Sequence, residues 1–116
     1  MDSIEFNNSL AAQFERCESI LNLKAGEYAT EDRLHNFRVA AALQGITLHQ
    51  ALAGMMAKHT VSIFDMCASR SYIPLDKWQE KLTDNINYLL LLSAMIYDEF
   101  STPKGAGSYA QEDYHL

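Results

Sequence analysis

The sequence predicts an all-α protein: one four-helix bundle-like domain that buries part of its apolar surface against another copy of itself. Three observations carry this. Apolar residues recur at helical spacing in four successive segments. The two prolines, Pro74 and Pro103, stand where helices start or stop, and no alternating apolar–polar run is long enough for a sheet. Near the end, INYLLLLSAMIY is apolar nearly all round. Such a helix must be covered on every side, and four short helices in one small monomer do not provide the cover. A twofold-related copy is the most economical source, the alternative being a helix fully enclosed by its own bundle.

The elements follow in order. A first helix is expected from about Glu5 or Asn8 to Leu23, with Leu10, Phe14, Cys17 and Leu21 on one face and Ala11, Ile20 and Leu23 widening it. Periodicity is lost over Lys24–Arg33, where Gly26 and Thr30 punctuate the chain. A short second helix is expected around Asp32–Leu43, ended by Gly45. Thr47 reads as the N-cap of a third helix over about Leu48–Ser69, with Leu48, Leu52, Met55, Met56, Ile63 and Phe64 on its apolar face. Pro74 opens a fourth helix, about Leu75–Phe100, whose stripe is Leu75, Trp78, Leu82, Ile86 and Leu89. The helical domain thus spans residues 1–100. The glycine-bearing tail, residues 101–116, reads as a mobile end or, since it keeps Tyr109 and Tyr114, as a segment that orders on a partner.

A chain of 116 residues makes one domain with one modest core. The net charge of −6 argues against a nucleic-acid polymer as partner, which wants a basic face. It leaves room for a small nucleotide, which needs only a local cation or a bridging metal. No apolar run is long enough to span a bilayer, and Met1–Ser9 lacks the character of a signal peptide, so a cytoplasmic protein is expected. Cys17 and Cys67 stand apart from each other and from clustered histidines, and read as two reduced, buried thiols.

Chemistry is sought in polar residues set on otherwise apolar helices. Glu80, Asp84 and Asn87, four and three residues apart, share one helical face. Two carboxylates one turn apart suit a hard cation such as Mg²⁺, and Asn87 adds an oxygen. The same spacing also describes a solvated face, but Asp84 and Asn87 lie in LTDNINYLLLL, where a helix shaped only by burial has no use for them. Helix three offers Lys58 for phosphate and Asp65 as a third carboxylate if the two helices pack antiparallel. Helix one carries an ExxE pair, Glu15 and Glu18, which reads either as the border of a cleft or as an exposed acidic face. In KAGEYATEDRLHNF, Tyr28 and Phe37 suit stacking on a base, and Lys24 and Arg33 suit phosphates; an ordinary helix connection would read the same. His59, beside Lys58, reads as a packed histidine. Neither GxxxxGK nor GxGxxG occurs.

The blocks KAGEYATEDRLHNFRVAAALQG, ALAGMMAKHTVSIFDM and EKLTDNINYLLLLSAMI resemble a family of small phage and prophage proteins. That family is similar to the all-α nucleotide pyrophosphohydrolases, the MazG-like and dUTPase-like group. The resemblance covers about residues 20–100. It implies a MazG-like four-helix fold, dimers or tetramers, and acidic residues that hold Mg²⁺ against a nucleoside triphosphate. Asp84 matches the aspartate of the last acidic motif and Glu80 its acidic neighbour. Lys58 matches a lysine of the third helix, and Lys24 and Asn36 match the polar segment after the first. The chain departs from the enzymes' EExxE and ExxD: the first motif is reduced to Glu15 and Glu18, and Glu80 stands four residues before Asp84. Lys58 and His59 replace acids.

The expected function is Mg²⁺-dependent pyrophosphohydrolysis of a nucleoside triphosphate or related nucleotide. Glu80 and Asp84 would be catalytic, with Glu80, Asp84, Asp65 and Glu18 as metal ligands. Lys24, Tyr28, Asn36, Phe37, Lys58 and Asn87 would bind substrate. The alternatives are a phage protein that sequesters a host-defence nucleotide without cleaving it, with lysines in place of the metal, and a helical adaptor for a host protein.

Overall fold

A computed structural model describes residues 1–26 and 32–101. These are all-helical, with no strand among them: α1 Ser3–Ala25, α2 His35–Gln44, α3 Leu48–Ala68 and α4 Leu75–Ser101. Tyr28 and the tail from residue 102 lie outside the described residues.

Local chemistry sets the ends. α1 starts at Ser3, earlier than its apolar face suggests, because Asp2 and Glu5 form a reciprocal capping box. Thr47 and Gln50 do the same for α3. α2 starts at His35 and not at Asp32, whose carboxylate is taken by a turn: it accepts from the Leu34 amide at 3.0 Å and from Arg38 Nε at 2.8 Å. The Leu34 amide, with Arg38 beside it, holds the Asp32 carboxyl below the usual carboxylate range. Gly45 ends α2 with φ 65°, the left-handed conformation that glycine adopts without steric cost.

α3 and α4 run antiparallel. Thr60 Oγ1 donates to Asn85 Oδ1 at 3.2 Å, while Leu52 and Met95, further along, meet in the core. Leu34 and Phe37 of the α2 region complete that core, with Leu48, Met55, Tyr88, Leu91 and Leu92 packed around it. α1 docks on α4, where Cys17 is buried and Gln13 Nε2 donates to Thr83 Oγ1 at 2.9 Å. Arg33 ties the approach to α2 onto α1 by donating to the Leu21 carbonyl at 3.0 Å.

Several expected apolar stripes are only partly buried. On α1, Cys17 and Leu21 turn inward, but Leu10 and Phe14 are exposed because α1 meets only α4. On α3, Phe64 is 71% exposed, on the side that carries Val61 and Cys67. Cys17 is thus the one buried thiol, and Cys67 is exposed. On α4 the expected stripe is split, with Trp78 and Ile86 half-buried. Leu75, Leu82 and Leu89 are exposed, while the buried positions are Thr83, Asn87, Met95 and Glu99. No helix of the described residues is long and apolar enough to cross a membrane.

Candidate functional site

Residues 83, 87, 91, 95 and 99 form a row along α4 at steps of four, one face of a helix. Four of the five are buried, and three of those, Thr83, Asn87 and Glu99, are polar. Thr83 is satisfied by Gln13. Glu99 faces Nε2 of His49 on α3 in an ion-pair contact. Asn87 is 6% exposed, and neither Oδ1 nor Nδ2 has a hydrogen-bond partner among the described residues. Leaving a buried amide unsatisfied costs on the order of 1–3 kcal/mol.

Asn87 lines a cavity of about 360 Å³ to which all four helices contribute, within the size range of small-molecule sites. α1 supplies Ile20, Leu21 and Lys24, α2 Asn36 and Phe37, α3 Met55 and His59, and α4 Asp84, Tyr88 and Leu91. One wall is a ladder of rings. The Tyr88 ring lies edge-on to Phe37, with centroids 6.4 Å apart at 75°, and tilts over His59 at 4.9 Å and 38°. The lining is thus mostly apolar and aromatic, with Lys24 and Asp84 as its charged groups and Asn36 and Asn87 as its carboxamides.

Two further cavities adjoin it. One, between α1 and α4, shares Ile20 and Asp84 with the first and carries Glu15, Asp76 and Glu80. The other shares Met55 and Tyr88 with the first and carries Lys58, Gln44 and Gln50.

Of the residues expected to form a site, Lys24, Asn36, Phe37, Asp84 and Asn87 line the same cavity. Glu80 lies one turn away in the acidic neighbour, and Lys58 lies on the far side of Tyr88, so Glu80 and Lys58 do not share a cavity. Glu18 and Asp65 are exposed and line none of these cavities. With Cys17 turned toward α4, α1 presents Glu15 to the acids of α4, and Glu18 is carried away from them. Asp65 follows Phe64 onto the uncovered side of α3. Two ring-bearing lining residues, Tyr88 and His59, had no functional reading in the sequence. Tyr88 follows Asn87 and stands four after Asp84, a spacing that already put it on their face. His59 read as a packed histidine, and its ring does pack, but against a cavity wall.

Among the described residues no three of His, Cys, Asp and Glu gather in a group able to hold a metal ion. The fit to Mg²⁺ therefore rests on donor chemistry. Mg²⁺ is typically bound by one or two carboxylates, with water and substrate phosphate completing its shell, and not by an all-protein cage. Glu80 and Asp84, hard oxygen donors one turn apart, meet that requirement. A four-carboxylate set that includes Glu18 and Asp65 does not arise.

The unpartnered amide of Asn87 gives a direct expectation. Asn87→Leu keeps nearly the same volume and removes the polar group that burial penalises. The melting temperature should rise by roughly 5 °C, equivalent to about 1 kcal/mol for a domain of this size. A fall in melting temperature would mean that Asn87 is structural.

No family model, no curated protein and no solved structure matches the chain. The likeness to the phage family therefore rests on the three sequence blocks alone.

Proposed function

We propose that the chain binds a nucleotide in the cavity beneath Asn87 and hydrolyses its triphosphate with Mg²⁺, in the manner of the MazG-like pyrophosphohydrolases. The observation that carries this reading is the buried, unpartnered Asn87 amide in a ring-walled cavity with Lys24 and Asp84 beside it. Buried polar side chains are nearly always hydrogen-bonded, so an unsatisfied buried amide calls for a partner. The apolar and aromatic surface of Phe37, Tyr88 and His59 accommodates a flat base. Lys24 supplies a cation for phosphate, and Asn36 a polar contact to sugar or base. Glu80 and Asp84 would hold Mg²⁺, which when bound supplies charge neutralisation and an activated water.

A second reading, capture without cleavage, is favoured by two observations: among the described residues no three of His, Cys, Asp and Glu are placed to hold a metal ion together, and Lys58 lies in the adjoining cavity. Thermal melts against a panel of nucleoside triphosphates, with and without Mg²⁺, separate the possibilities. A Mg²⁺-dependent rise followed by pyrophosphate release is the result expected of the enzyme. A rise that persists in EDTA, with ligand recovered intact, identifies the binder. No rise with any nucleotide leaves the helical adaptor.

The proposed assembly is a homodimer or tetramer. Leu75, Leu82, Leu89 and Ile96 repeat every seventh residue along α4 and are all exposed, the spacing of a seam that packs against another helix. Phe6, Leu10 and Phe14 of α1 add further uncovered apolar surface. Sedimentation at micromolar concentration should give a species of two or more chains, and a single-chain species would remove the assembly.

A further inference from the structure

We infer that Asn87 selects the ligand by reading the edge of its ring, and that the ring must present one donor beside one acceptor; this rests on the nucleotide reading above. A carboxamide offers one acceptor oxygen and one donor nitrogen side by side. Each of the four common bases carries the complement on its pairing edge: an N–H beside a carbonyl in uracil and guanine, and a ring nitrogen beside an amino group in cytosine and adenine. Both amide atoms of Asn87 lack a partner among the described residues, so neither is already committed. The other buried polar groups of α4 are engaged: Thr83 with Gln13, and Glu99 with His49.

The surroundings set the orientation. Tyr88, next in sequence, turns its ring against Phe37 and His59. A flat ligand lying on that wall brings its edge, and not its face, to the row that carries Asn87. Leu21, Met55 and Leu91 add apolar lining beside the buried carboxamide, with Lys24, Asn36, His59 and Asp84 as the other polar side chains of the cavity. Sites of this kind discriminate strongly, because an analogue that cannot pair leaves the buried amide and its own edge both unsatisfied. Asn87 is thus a specificity-determining group, distinct in role from the carboxylates and from Lys24.

Calorimetric titration of the full chain tests this, with Ca²⁺ replacing Mg²⁺ to hold back turnover. The probes are UTP, CTP, ATP and GTP. The tightest binder is then compared with its counterpart methylated on the ring nitrogen of the pairing edge, N3 for a pyrimidine and N1 for a purine. The methyl group should weaken binding to the wild-type chain by about 100-fold. Asn87→Ala should weaken the parent nucleotide by about the same factor, and in that variant the methyl group should cost less than about 3-fold more. If Asn87→Ala does not fold, the wild-type comparison alone decides. A methylated analogue that binds the wild-type chain within about 3-fold of its parent overturns the edge reading and leaves nucleotide binding intact. No binding of any of the four triphosphates overturns both.

Discussion

Leu52→Ala is expected to destabilise the fold by about 3–4 kcal/mol, and a melt should show it as a drop of roughly 15 °C. Leu52 is 0% exposed and sits where three helical segments meet: Leu34 and Phe37 from the α2 region, its own α3, and Met95 from α4. Buried apolar side chains are few in the described residues, and this cluster holds most of the large ones. A domain of this size has a total stability on the order of 10 kcal/mol, so one truncation at the centre removes a large share of it. Met55 and Met95 border the vacated space, and their unbranched side chains can partly fill it. This keeps the expected loss toward the middle of the range for buried leucines and not at its upper end. A drop under about 5 °C would mean that this cluster is not the centre of the core.

Asp84→Asn is expected to lower Mg²⁺-dependent pyrophosphate release by at least about 100-fold while leaving the melting temperature nearly unchanged. The substitution keeps shape and removes only charge. Asp84 is half-buried and belongs to both the ring-walled cavity and the acidic one, so its carboxylate is the group that joins the proposed base-binding and metal-binding surfaces. Its loss also removes a negative charge from the path of the phosphates. In EDTA, therefore, the variant should bind nucleotide more tightly than the wild-type chain, whereas in Mg²⁺ it should bind less tightly. Unchanged turnover would refute the metal role of Asp84. Absent turnover in both proteins, with tight binding in EDTA, would move the account to capture without cleavage.

Helix existence was plain in the sequence, and so were the signals at Thr47, Gly45 and Pro74, because capping and turn chemistry is local. Asp2 was the exception: its capping box with Glu5 precedes the first apolar residue of the stripe, so periodicity began the helix too late. The buried face of α4 was not legible for a different reason. Hydrophobic periodicity points to the side that would avoid water in the proposed assembly, and Leu75, Leu82 and Leu89 are exposed in the single chain. The inward row carries Thr83, Asn87 and Glu99 because Gln13 and His49 meet two of them across helices, pairings that no spacing within α4 reveals. Asn87 stood out in the sequence as a polar residue among leucines. What it faces depended on the packing of four helices. The same packing brings Glu15 to the acids of α4 and carries Glu18 and Asp65 away from them.

The central claim is that the cavity under Asn87 holds a nucleotide. Amide resonances of the ¹⁵N-labelled chain, followed during titration with the four nucleoside triphosphates, test it most directly. The side-chain amide of Asn87 and the backbone amides of Tyr88 and Lys24 should move together and saturate with at least one nucleotide, while Phe6 and Val61 stay in place. Saturation confined to surfaces away from Asn87, or no movement with any of the four, would contradict it.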